Sequence, residues 1–175
     1  LQPEISLRHI RAITLDLDDT LWDIEPVIRN AEASLRSWLA QRYPGITDRF
    51  SNEDMLEIRR EVNADFPERA HDLGFVRKTL LERMAVAAGY PASVARSAFE
   101  VFYEARNLVE LYPDVLPHLE RLHARYRVVA VTNGNASLQR IGIRHLFHDV
   151  VTAADAGAAK PALEIFEMAR SEEHT

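Results

Sequence analysis

Apolar and polar positions divide the chain into three stretches of different period. Arg11 to Leu17 is a short, β-prone apolar run that reads as a buried strand and stops abruptly at polar residues. A long middle stretch follows a helical period. Pro26 is expected to open a helix whose apolar positions Val27, Ile28, Ala31, Leu35, Trp38 and Leu39 recur on one face. Pro44-Gly45 reads as the turn that ends it. The run Ser51-Asn52-Glu53-Asp54 has the form of a capping box and predicts a helix to about Asn63. Asp72 is placed to cap the next helix, with Val76, Leu80, Leu81, Met84 and Ala88 as its stripe and Gly89 at its end. Pro91 opens another, expected to run to about Leu108.

From Tyr112-Pro113-Asp114 onward the pattern alternates. Val115, Leu116, Leu119 and Leu122 define a helix that feeds a strand at Val128–Val131. A helical stretch then leads to a short strand, Asp149–Thr152, a loop with Asp155, Gly157 and Lys160, and a helix from Pro161. Alternating helix and strand predicts a parallel sheet covered by helices. The expected architecture is therefore α/β: a Rossmann-like parallel core built from residues 1–21 and 113–175, interrupted by an inserted α-helical bundle, a cap, over 22–112. No internal repeat or low-complexity segment is evident.

The end of the first strand carries the candidate chemistry. Asp16-Leu17-Asp18-Asp19-Thr20 puts three carboxylates where an apolar strand stops, and like charges this close repel. A cation is expected there, most simply Mg²⁺, which prefers hard oxygen ligands. Asp16 and Asp18 lie two positions apart, so on an extended backbone they project to one side, roughly 7 Å apart along the chain. That spacing suits a phosphoryl-transfer site in which one carboxylate attacks and the other handles the proton of the leaving group.

Two later segments match this one in type and order. Val128-Val129-Ala130-Val131-Thr132-Asn133-Gly134 is an apolar strand ending in a hydroxyl residue. Ala158-Ala159-Lys160-Pro161, followed by Ile165-Phe166, places a Lys before a helix. With Asp16-Leu17-Asp18-Asp19-Thr20-Leu21 they resemble the first three motifs of the haloacid dehalogenase superfamily, most of whose members are Mg²⁺-dependent phosphatases. The resemblance spans the whole chain. It implies Asp16 as the nucleophile that forms an aspartyl-phosphate, Asp18 as general acid and base, and Lys160 as a positive charge on the phosphate and on Asp16. It further implies Thr132, Asn133 and Gly134 as holders of phosphate oxygens, and Mg²⁺ on Asp16 and the backbone carbonyl of Asp18. The run from Asp16 through Trp22, with a helical cap of this length, is similar to bacterial phosphatases acting on flavin mononucleotide and related riboflavin-pathway phosphates. A helical cap shuts water from the site, which favours a small phosphorylated metabolite as partner. Other readings of the same fold are a haloacid dehalogenase, which does not need Asp18, a phosphomutase, and a non-catalytic scaffold.

One motif of the family is not matched. Its fourth, an apolar strand ending in paired acids such as Gly-Asp-x-x-x-Asp, has no counterpart after Lys160, where the acids are Glu164, Glu167, Glu172 and Glu173. The expectation is a C-terminally incomplete version of a phosphatase with weakened Mg²⁺ affinity. Its first strand would then lie at the sheet edge, open to aggregation or a swapped dimer. Either a monomer or a dimer is compatible with this reading.

Composition narrows the classes. The 175 residues allow one domain or a core with a modest insertion, and a net charge of −6 argues against a nucleic-acid partner. With no cysteine, a disulfide, a thiolate nucleophile and a zinc–thiolate site are all excluded. No apolar run approaches the ~20 residues that span a bilayer, so no membrane partner is expected. Leu1-Gln2-Pro3-Glu4 does not open a secretory signal, which makes the cytoplasm the default location. A start at Leu1 rather than Met hints at an incomplete reading frame. Asp19 and Asp155 read as turn or loop caps, and Trp22 as either a pocket wall or a residue buried under the cap. His145 and His148 read as packing residues, and Arg59-Arg60 and Arg77-Lys78 as solvated helix faces.

Overall fold

Val128, Val129, Ala130 and Val131 are all buried because helices cover both faces of their strand, β2 (Arg127–Thr132), in the computed structural model, which describes residues 10–172. Alternate side chains point to opposite faces. Val128 and Ala130 pack with Leu119 of α6 (Val115–His123), whereas Val129 and Val131 pack with Ile165 and Ala169 of α9 (Leu163–Glu172). The sheet is parallel, in the order β1 (Ala12–Leu15), β2, β3 (Asp149–Thr152). Register sets Leu15 beside Ala130 and Thr132 beside Thr152, so the carboxyl ends of the strands gather at one side. In open parallel sheets that side is where ligands collect. Leu1–Glu4 and Glu173 of the sequence reading lie outside the described residues.

The first strand departs from the buried run expected over Arg11–Leu17. It is shorter, and Thr14 is exposed. The cause is its position: among the described residues β1 pairs with β2 alone and forms a sheet edge, while α9 packs on β2 and β3.

Between β1 and α6 lie α1 (Ile24–Arg42), α2 (Pro44–Arg49), α3 (Asn52–Asp65), α4 (Leu73–Ala87) and α5 (Val94–Arg106). Leu35, Leu39, Leu80, Met84, Ala98 and Phe102 belong to the apolar cluster they share. Several ends differ from expectation. The helix assigned to Pro26 begins at Ile24, because Asp23 accepts a hydrogen bond from Glu25 N; Pro26 sits in the first turn, where backbone N–H groups have no helical partner. Pro44 opens α2 instead of closing a turn. The Ser51–Asp54 capping box and the Asp72 cap stand as expected. Residues 92 and 93 form a turn, so α5 starts at Val94, not Pro91. Pro161, after a cis peptide bond, lies in the turn before α9, which starts at Leu163.

Two adjacent crossings join the helices to the sheet. Trp22 forms isolated β-bridges with Asp18 and Leu111, and Tyr112 N donates to Leu21 O at 3.0 Å. Trp22 is fully buried in the cluster under the sheet, together with Val27 of α1, which places it among core residues.

Leu119 is 2% exposed and anchors α6 beneath β2. Leu119→Ala is expected to lower the stability of the protein by about 2–5 kcal/mol, the cost of an unfilled cavity in a packed core. Urea denaturation checks this as a lower midpoint with an unchanged slope.

Candidate active site

Asp16 follows the last residue of β1, and its two oxygens are engaged differently. Oδ1 accepts from Leu17 N at 2.8 Å, and Oδ2 pairs with Lys160 Nζ at 2.8 Å. Lys160 reaches it from a turn clamped to the end of β2. The Lys160 N donates to Asn133 Oδ1 at 2.6 Å, its carbonyl accepts from Asn133 Nδ2 at 3.1 Å, and Nζ also donates to Val131 O at 2.8 Å. Lys160 is therefore aimed by a side-chain clamp rather than by the start of a helix. The Asn133 side chain is committed to that clamp, which leaves the expected phosphate contact to its backbone N–H.

Asp18 is gripped from the helical side. Nη2 of Arg106, the last residue of α5, donates to Oδ1 at 2.7 Å and Oδ2 at 2.8 Å, and Trp22 Nε1 donates to Oδ1 at 3.0 Å. Arg106 is 2% exposed, and its Nη1 is a buried donor without a hydrogen-bond partner. The next residue, Asn107, fastens α5 to the loop after β2: its Oδ1 accepts from Ser137 N at 2.6 Å.

Gly134 brings the second motif to the first. A Cβ there would sit 2.3 Å from Asp18 Oδ2, 3.2 Å from Thr132 Oγ1 and 3.4 Å from Arg106 Nη2. Its N–H donates to the buried Thr132 Oγ1 at 2.9 Å. The structure thus joins Asp16 with Lys160 directly, Lys160 with Asn133, and Gly134 with Thr132 and Asp18. The acceptor role of Thr132 Oγ leaves its hydroxyl hydrogen for another group.

Other candidates take structural places. Asp19 adopts a φ of 58°, and its Oδ1 accepts from Ile24 N at 3.0 Å, which ties the acidic turn to the start of α1. Asp155 forms a capping box with Thr152 on α8 (Ala153–Ala156), the short helix after β3, as α7 (Leu138–Ile141) is the one after β2. His148 stacks on His123 with ring centroids 4.5 Å apart. Arg77 is not on a solvated face as expected: it pairs with Glu32 at 2.7 Å and lies over the Phe102 ring. Arg106 was absent from the sequence reading. The available signal was a cation on the apolar stripe of α5, at i+4 from Phe102 and i+7 from Phe99.

The donors suit a hard cation in type. The Asp16 side chain is 43% exposed, so its carboxylate remains open to further ligands, and Mg²⁺ is commonly held by one or two carboxylates with water and substrate phosphate completing the shell. Among the described residues no group of three or more His, Cys, Asp or Glu side chains could hold a metal.

A family described as haloacid dehalogenase-like hydrolase matches residues 10–173. The 5-amino-6-(5-phospho-D-ribitylamino)uracil phosphatase YigB of Escherichia coli is 31% identical over 93% of this chain and 70% of its own length. A glyceraldehyde 3-phosphate phosphatase of Methanopyrus kandleri is 32% identical over 92% of this chain and 70% of its own. A crystal structure described as a 2-haloacid dehalogenase from Pseudomonas syringae superposes with a TM-score of 0.89 and 36% identity, over 94% of this chain and 73% of that one.

The space at Gly134 yields a direct prediction. Gly134→Ala is expected to displace Asp18 from Arg106, to lower stability by about 1–3 kcal/mol through overpacking, and to reduce kcat at least tenfold. Steady-state kinetics beside a thermal melt checks both effects. An alanine variant with unchanged kcat would show that Asp18 does not need its present position.

Proposed function

The chain belongs to the haloacid dehalogenase-like hydrolase family, and from that premise we propose that it is a Mg²⁺-dependent phosphatase of small phosphate monoesters. The observation that carries this reading is the pair of acids at the end of β1, each matched to its own cation: Asp16 to Lys160 and Asp18 to Arg106. Similarity to two phosphatases supports the substrate class. In this reading the helices of 22–112 act as a cap over a core of 1–21 and 113–175.

Asp16 attacks phosphorus, the ester P–O bond breaks, and the leaving oxygen takes a proton from Asp18. Water then attacks the aspartyl-phosphate and gives its proton to Asp18, which frees inorganic phosphate and restores Asp16. Lys160 orients the Asp16 carboxylate and offsets negative charge as the phosphate approaches. Thr132, with its hydroxyl hydrogen, and the backbone N–H of Asn133 hold phosphate oxygens, while the Gly134 N–H orients the Thr132 hydroxyl. Mg²⁺, held by Asp16 and the Asp18 carbonyl, would supply the positive charge that lets an anionic nucleophile meet an anionic substrate. Because one nitrogen of Arg106 occupies both Asp18 oxygens, proton delivery requires that grip to loosen on one oxygen when substrate enters.

A second reading, a 2-haloacid dehalogenase, is favoured by the similarity to the Pseudomonas syringae structure. It leaves Asp18 without a chemical task, so the phosphatase reading is preferred.

Phosphate release from an aryl phosphate, and from the substrates named for the two similar phosphatases, is expected to require added Mg²⁺ and to stop with EDTA. Asp16→Asn is expected to reduce kcat by at least about 10³-fold with an unaltered circular dichroism spectrum and melt. Retained turnover in that variant would remove Asp16 as nucleophile. Halide release from a 2-haloacid without phosphate release would establish the dehalogenase reading instead.

A further inference from the structure

A groove of about 550 Å³ starts at Asp18 and Gly134 and runs between α1 on one side and α3 and α4 on the other, with Phe102 and Arg106 of α5 among its lining. That volume lies in the range, about 300–1,000 Å³, of cavities that enclose ligands much larger than a three-carbon ester. Its walls are chiefly aliphatic and aromatic: Ile28, Leu35, Met55, Val76, Leu80 and Phe102 line it. Polar side chains also line it, among them Thr47, Asn52, Arg36 and Arg59, and two of its other cations are answered from within. Arg77 is paired with Glu32 at 2.7 Å and stacked 3.9 Å over the Phe102 ring, and Arg106 is spent on Asp18. A polyol or triose has little apolar surface to set against the aliphatic and aromatic part of these walls.

We propose that this groove holds the organic group of the phosphate ester, and that this group carries an aromatic or comparably bulky apolar body. The inference rests on the phosphatase reading and deepens it. Continuity decides the occupant: the groove begins at the carboxyl group that protonates the leaving oxygen, so whatever is bonded to that oxygen extends along α1 and α4. The apolar walls then contribute binding through area removed from water.

Two alkyl esters with the same leaving-group chemistry isolate this effect: propyl phosphate and 3-(2-naphthyl)propyl phosphate. With the wild-type protein and Mg²⁺, kcat/KM is expected to be at least tenfold higher for the naphthyl ester, chiefly through KM. Met55→Trp, which fills the groove from a half-buried position on α3, is expected to lower the naphthyl-to-propyl ratio at least tenfold. Ile28→Ala, which removes wall from α1, is expected to lower the same ratio at least threefold and serves if the tryptophan variant does not fold. Hydrolysis of both esters with a ratio within threefold of one, or a ratio unmoved by folded variants, overturns the inference and leaves the phosphatase reading standing. Hydrolysis of neither ester, with no release from the aryl phosphate either, removes both.

Discussion

Two carboxylates at the end of one strand, two residues apart, need two separate positive charges, and much of the arrangement around the site serves that need. Asp16 obtains its cation from Lys160 and Asp18 from Arg106, both far away in sequence. The pairs differ physically. Lys160 and Asp16 keep 20% and 43% of their side chains exposed, so water screens the pair and its net contribution to stability is small. Its value is geometric, since Lys160 is held by Asn133 and Val131 and cannot choose another partner cheaply. Arg106 is 2% exposed against 22% for Asp18, and a buried guanidinium that lost its carboxylate would be an uncompensated charge. Position of the last turn of α5 and position of Asp18 are thus fixed together.

That coupling explains how a helical unit stays in register with the sheet. The chain leaves the sheet near Trp22 and returns near Leu111, and the two passages are hydrogen-bonded side by side. Asn107 adds a third tie, from the end of α5 to the loop after β2. Arg106 and Asn107 are adjacent, yet one faces the first motif and the other the loop of the second. The helices are therefore anchored to the sheet at the residues on which the proposed chemistry depends.

Much of this was legible in the sequence wherever the cause is local. The alternation of Val128 to Val131 with amphipathic helices gave the parallel sheet, because burial on both faces demands a continuous apolar run. Capping by Ser51 and Asp72 was readable because a cap and its target lie within three residues. What was not legible came from pairings across long loops. Nothing near Pro161 announces that Asn133 will clamp the turn before it, which moves the helix start to Leu163. Arg77 resembles any surface arginine until Phe102 and Glu32 meet it from two other helices. Arg106 breaks an apolar stripe, a local irregularity whose meaning appears only when Asp18 is found opposite.

Gly134 shows how little freedom remains at the centre. Hydrogen is the largest substituent its position admits, since a methyl group would lie 2.3 Å from Asp18 Oδ2 and against both Thr132 and Arg106. The strand-end hydroxyl, the acid and the cation of the helices are therefore packed around one backbone atom. Such packing leaves Asp18 Oδ2 little room on the Gly134 side, and Asp18, Gly134 and Arg106 all border the groove. A ligand lying along the groove walls borders the same pair, and its entry and the loosening of Arg106 then occur in one place. Under the proposed reading, recognition of the organic group and release of Asp18 as proton donor would coincide at Asp18 and Arg106.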